Sequence, residues 1–527
     1  MPCVEALRRG LAVHDLPLQS GVDVMFNLSR KETAHASHIA AIDLGSNSFH
    51  MIIARWDNDQ LILLDRLREP VRLGWGLQAD GSLSEDAREK AMACLERFGE
   101  CLREYPSRSV RIVGTKTLRS ITDSRQFLQE AQARLGHPVE IISGDEEARL
   151  VYLGVAHCIA PGEGKRMVVD IGGGSTEIIL GQGMAPLLKE SLSMGCVAIA
   201  KQFFFDGKVT DKAIKKARIA CLQELEPVND LFVEQGWQEV LGASGTIKAV
   251  AKVCQSMGWS DGTIKKTSLD IIVQMYRQHG NTDLKITGLS DDRQAVFLGG
   301  VIVLSALFES LQLDQMTAAD WALREGLLYD LKGRLEDHDI RQASVDALAK
   351  RFHVNLEKAE RIEKTALMLL DQVSDTWGLN VDEAGKLLRW SARLYPVGLD
   401  IAHSDYHKHS AYIVEHVDMA GCSRAEQKQL AALVLAHRKR FPIKQFPLEN
   451  TALLQVAILL RLAIIFHRGR KKEGRLPIKL RANNHKLKLT LPSVWLEANT
   501  LTHADLESEA QHLEEIGYLL DVIANGD

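Results

Sequence analysis

Two short segments join an acidic residue to a turn of glycines and hydroxyl side chains: Asp43-Leu44-Gly45-Ser46-Asn47-Ser48 and Asp170-Ile171-Gly172-Gly173-Gly174-Ser175-Thr176-Glu177. Small residues let successive backbone N–H groups converge, and glycine also accepts positive φ. Converging N–H groups form a nest suited to phosphate oxygens. The hydroxyls of Ser46, Ser48, Ser175 and Thr176 add donors. A carboxylate repels phosphate, so Asp43, Asp170 and Glu177 make chemical sense around a bridging Mg²⁺ or a nucleophilic water. A single such segment reads equally well as a plain hairpin turn. Two copies between matching strands favour phosphate. A third loop, Gly242-Ala243-Ser244-Gly245-Thr246, follows a short apolar strand and opens a helix at Ile247. Helix N-termini of this kind bind anions. A P-loop is excluded: Gly162-Glu163-Gly164-Lys165 lacks the first glycine at the required spacing and is followed by Arg166.

Ser143-Gly144-Asp145-Glu146 has the form of a capping box, with Ser143 at the N-cap and Glu146 at the third helical position. The adjacent Glu147 is not needed by the cap. First-turn acids are favoured by the helix dipole, which is its bland explanation.

The elements that must carry these residues repeat. From Ile39 a strand, a small-residue turn and a second strand lead into a third strand, LILLDRL. From Met167 the strand–turn–strand unit recurs. Each copy is followed by mixed helix and strand patterning, which implies an α/β domain of two duplicated lobes. After about Asp337 strand signals fade and amphipathic helical segments dominate. The expected organisation is an extension over 1–37, lobe I over 38–162, lobe II over 163–337 and a helical module over 338–527. A short β-like pair, PIKLRANN and KLKLTLP, comes near the end of that module.

At 527 residues the chain is too long for one core. A net charge of −5 argues against a nucleic-acid-binding surface and requires any polyanion site to be a local basic channel. The basic stretches Lys212–Arg218, Arg438–Lys444 and Arg468–Arg475 are candidates for such a channel and equally for solvated faces. The eight cysteines include no Cys-x-x-Cys pair, which fits a reducing cytoplasm. No apolar run is read as long enough to span a bilayer, and the first residues lack a signal-peptide pattern.

With its three glycine loops in this order, the sequence resembles the exopolyphosphatase / guanosine pentaphosphate phosphohydrolase family of the sugar kinase–Hsp70–actin superfamily. The resemblance runs from about Ile39 to the C-terminus. It includes A-I-D-L-G-S-N-S-F-H, G-T-K-T-L-R at Gly114–Arg119, S-G-D-E-E-A-R-L, D-I-G-G-G-S-T-E, G-A-S-G-T-I-K and L-R-E-G-L at Leu323–Leu327. It implies an actin-like pair of lobes in which Glu147 is the catalytic base for water, Arg119 a phosphate contact, and Asp170 and Glu177 metal-associated carboxylates. It also implies a homodimer in the cytoplasm, with peripheral association at the inner face of the membrane left open. Long family members carry an HD-like helical module. Here Tyr395-Pro396 stands where that module's metal-ligand pair is expected, so His403, His407, His409 and His416 are read as non-catalytic. Release of orthophosphate from inorganic polyphosphate is the first expectation. Guanosine pentaphosphate hydrolysis is the second, and a nucleotide-binding regulator with little turnover the third. Glu147 argues against the last, because a pure binder has no use for a base.

Overall fold

The computed structural model describes residues 38–57, 60–159, 164–336, 339–468 and 478–525. The expected extension over 1–37, residues 162–163 of the rejected glycine-lysine segment and residues 469–475 of the third basic stretch lie outside them. The described residues fall into two compact units, one ending at 336 and one beginning at Asp339.

In the first unit, β1 (His38–Leu44), β2 (Phe49–Asp57) and β3 (Gln60–Glu69) form an antiparallel meander. β4 (Val110–Gly114) and β5 (Glu140–Ile141) add parallel to β1, giving the order β3-β2-β1-β4-β5. The second sheet repeats the plan. β6 (Lys165–Ile171), β7 (Thr176–Gln182) and β8 (Ala185–Leu192) form the meander. β9 (Glu239–Gly242) runs parallel to β6 and β11 (Gln315–Ala318) parallel to β9, with β10 (Ile264–Lys265) at the edge. β1 and β6 lie inside their sheets, and their near-continuous apolar runs, IAAI and MVV, suit strands covered on both faces. The matching registers set Asp43 opposite His50 and Asp170 opposite Glu177.

Each lobe closes with a helix after its last parallel strand, Gly144–Cys158 in the first and Leu323–Leu335 in the second. These two helices pack together over buried Leu150, Val151, Leu327 and Leu328. Their crossing depends on glycine. A Cβ on Gly154 would lie 2.1 Å from the Ala322 carbonyl oxygen, and one on Gly326 would lie 1.9 Å from that of Leu150.

One helical stretch, Asp291–Ser310, is long and apolar enough to cross a membrane by length and composition, which the sequence reading did not anticipate. It is 67% buried inside the second lobe. There Gly299 and Gly300 bring it against the Cys196 backbone and the Thr246 side chain, as a core helix does.

The second unit holds helices such as Leu356–Trp377 and Thr451–Phe466 over its own core. β12 (Lys479–Asn483) and β13 (Lys486–Pro492) are the anticipated pair, and β14 (Leu519–Asn525) joins them parallel to β13. The sequence reading missed β14, a seven-residue strand with no turn signal tying it to its partner. Near the Tyr395-Pro396 segment, the buried His437 is bonded to the Val434 carbonyl (2.6 Å) and the Tyr406 hydroxyl (3.1 Å).

Candidate active site

An open cavity of about 280 Å³ lies between the two lobes. The first turn lines it with Asp43, Gly45, Ser46, Asn47 and Ser48. The second contributes Asp170, Gly172, Gly173, Gly174, Ser175 and Glu177, and the third Ser244, Gly245 and Thr246. Glu147 joins them from the first turn of helix Gly144–Cys158. Ser143 caps that helix by accepting from the Glu146 N–H, as expected, but the Glu146 carboxylate is drawn to Arg149 at 2.7 and 2.8 Å.

Three expected phosphate contacts do not line this cavity. The Thr176 side chain is fully buried and donates to the Met194 carbonyl, away from the cavity. Gly242 ends β9 inside the core, where an added Cβ would press on Ile247 at 2.4 Å. Arg119 does not line the cavity. Its guanidinium donates to the Ile142 carbonyl (2.7 Å) and to one Glu147 oxygen (3.1 and 3.2 Å).

The glycines of the turns serve close packing. Gly45, Gly172, Gly173 and Gly174 all avoid positive φ. A Cβ on Gly173 would lie 2.7 Å from that of Ser46, and one on Gly174 would lie 2.9 Å from Lys116 Cγ, so the two turns meet nearly backbone to backbone. Neighbouring N–H groups bind the carbonyls of Ser46, Asn47, Gly172 and Gly173. The Gly172 N–H closes the second turn on the Ser175 carbonyl, which leaves the other N–H groups and the hydroxyls as the donors the turns can present to an anion.

Four carboxylates crowd this space. Burial, reinforced by Glu147, pushes both Asp43 and Asp170 from their ordinary 3.8 up to about 7. Burial also raises Glu147, against the opposing pull of Arg119 and then Lys116. Glu177 is raised well above the usual range by burial and by Glu147 and Asp170, while it accepts a hydrogen bond from Ser191 (2.8 Å). Asp43 Oδ1 is buried and has no hydrogen-bond partner.

Sequence reasoning missed the cations. Arg68, Lys248, Arg293 and Arg324 all line the cavity. Lys248 donates to the Asp320 carbonyl (2.7 Å) and Arg68 pairs with Asp292 (2.6 Å). His50 also faces the cavity, where burial and then the nearby Arg324 push it well below its ordinary value, so it is neutral. Arg324 and Lys248 stand inside quoted motifs, L-R-E-G-L and G-A-S-G-T-I-K, and His50 is the cross-strand partner of Asp43. Arg68 and Arg293 carry no local signal. They reach the site only through the fold.

The chain matches the models described as the Ppx/GppA phosphatase family over residues 52–335 and Ppx/GppA phosphatase, domain III, over residues 340–510. It is 38% identical over 487 residues to the guanosine-5'-triphosphate,3'-diphosphate pyrophosphatase of Vibrio cholerae, covering 92% of this chain and 97% of that one. A protein of the same name from Aeromonas hydrophila is 37% identical over 484 residues, covering 91% and 97%. Among solved structures, an exopolyphosphatase from Cytophaga hutchinsonii superposes with a TM-score of 0.51 at 23% identity, over 56% of this chain and 98% of that one. At that identity the likeness shows the shared fold.

Proposed function

The chain belongs to the Ppx/GppA phosphatase family, whose members hydrolyse phosphoanhydride bonds, and from that premise we propose that it removes the terminal 5'-phosphate of guanosine pentaphosphate. This reverses the order the sequence suggested. The relatives at 37–38% identity that match nearly end to end carry the nucleotide name, whereas the exopolyphosphatase likeness rests on fold. The observation that carries the hydrolytic reading is the placement of the Glu147 carboxylate in a cavity walled by three glycine loops and four cations.

The turns and cations bind the triphosphate. Their N–H, hydroxyl and guanidinium donors meet the charge that spreads over the equatorial oxygens during transfer. Glu147 accepts a proton from a water whose oxygen attacks the terminal phosphorus, and the bond to the bridging oxygen breaks toward the nucleotide. Burial makes Glu147 a stronger base, while Arg119 orients its carboxylate and favours the ionised form.

The residues fit a divalent cation of the Mg²⁺ type. Asp43 Oδ1 lacks a partner, and Asp43 and Asp170 are carboxylates whose ionisation is opposed until positive charge arrives. Among the described residues no three acidic, histidine or cysteine side chains converge as a metal cage. Asp43 and Asp170 would hold it, and the cation keeps water in its shell as Mg²⁺ prefers. Glu177, expected as a third holder, lines the same cavity and accepts from Ser191 through one of its two oxygens. When bound, the cation would neutralise phosphate charge.

Orthophosphate release from guanosine pentaphosphate and from long-chain polyphosphate, compared at equal enzyme, tests the substrate. The proposal requires kcat/KM for the nucleotide to be the larger. A larger value for polyphosphate would restore the first expectation.

A further inference from the structure

Beside the cavity lies a cluster of charges that the chemistry does not use. Asp330, on helix Leu323–Leu335, is 6% exposed and bonds both Arg111 and Arg149. Arg149 holds both oxygens of Glu146, through Nε at 2.7 Å and a terminal nitrogen at 2.8 Å. Arg111 approaches the same carboxylate at 3.7 Å. Arg334 closes the group, 2.9 Å from Asp330 and 3.5 Å from Glu140.

The members sit on the elements that carry the reacting groups. Glu146 immediately precedes Glu147. Arg111 pairs across β4 with Ala41, two residues before Asp43 on β1. Asp330 shares its helix with Arg324. Burial alone would raise Asp330, but Arg111, Arg149 and Arg334 outweigh it and hold the carboxylate well below its usual range. The network therefore keeps its charge wherever the enzyme works.

Packing alone does not call for such a network. Apolar side chains of similar volume often stabilise a core as well as a buried ion group, or better. Fork-shaped guanidinium bonds to both oxygens of a carboxylate add fixed direction, which apolar contacts lack. We propose that Asp330 is a positioning residue that acts through Arg149 and Glu146 to fix the first turn of helix Gly144–Cys158, and with it the Glu147 carboxylate. This rests on the reading of Glu147 as the base.

The test is steady-state kinetics on the full chain with guanosine pentaphosphate, comparing wild type, Asp330→Asn, Glu147→Gln and the double variant. Asp330→Asn keeps the side-chain shape but loses the charge. It is expected to lower kcat about tenfold with KM changed by less than about twofold, since small misplacements of a reacting group cost rate before binding. In the Glu147→Gln background the same change should add almost nothing, because no base remains to misplace. A melting temperature that falls while kcat holds would overturn the proposal, as would a full tenfold loss that persists in the double variant. Glu147→Gln alone with wild-type turnover would instead sink the base reading. If Asp330→Asn does not fold, Arg149→Lys is read by the same criteria, because it keeps the charge and loses the fork.

Discussion

Replacing Asp43 by Asn should stabilise the protein at neutral and alkaline pH while removing activity. In the folded chain the Asp43 carboxyl titrates at about 7, against 3.8 for the free side chain. Its folded-state value is raised, so the folded protein holds the proton more tightly than the unfolded chain, and stability falls as pH climbs from 3.8 to 7. A difference of about 3 pH units, at about 1.4 kcal/mol each, sets an upper bound of about 4 kcal/mol. The cavity is open and Asp43 is partly accessible, so solvent screening reduces the realised effect to about 2 kcal/mol. Asparagine does not ionise and escapes the penalty. Urea unfolding of both proteins across pH 4 to 8, without divalent cation, isolates the pH-dependent part of the difference from any fixed effect of the amide. The advantage of Asp43→Asn should be largest above pH 7 and fade toward pH 4. An advantage that stays flat over this range, or grows toward acid, would refute the electrostatic account of the site.

Other outcomes follow from single contacts. Gly326→Ala forces a methyl to within 1.9 Å of the Leu150 carbonyl. Overpacking of about 1–3 kcal/mol should exceed the gain of about 1 kcal/mol from helix propensity, so the midpoint of urea unfolding falls, and an unchanged midpoint would contradict the crossing. Arg119→Gln removes the main influence that keeps Glu147 ionised. The active base is the carboxylate, so the acid limb of kcat/KM against pH should move to higher pH, and a limb that stays put would remove Arg119 from this role. Thr176→Val should leave KM for guanosine pentaphosphate within about twofold while costing about 1 kcal/mol in unfolding free energy, the net worth of one buried hydrogen bond.

The repeat of strand, glycine turn and strand was legible because it is local: Asp43 with its turn and Asp170 with its turn each lie within eight residues. The place of Glu147 in a first helical turn was legible from the capping serine, but its role as a base came only from the family resemblance. The cations were harder, since Arg68 sits on β3 and Arg293 ahead of a core helix, and only folding brings them to the turns. The side of the chain on which a residue ends up was also hidden. Thr176 and Gly242 belong to the motifs by sequence, yet strand alternation and close packing turn them toward the core. The role of the turn glycines was misjudged for a similar reason, because contacts such as that between Gly173 and Ser46 join segments far apart in the chain. Substrate choice could not be read from the turns, which would serve any terminal phosphoanhydride.

The central claim is that Glu147 activates the water that releases the terminal phosphate of guanosine pentaphosphate. A single-turnover experiment with enzyme in excess, following orthophosphate release by wild type and Glu147→Gln, measures that step without product release. The account predicts a loss of at least about a hundredfold in the first-order rate for Glu147→Gln, with the substrate still bound. A rate within about threefold of wild type would contradict it.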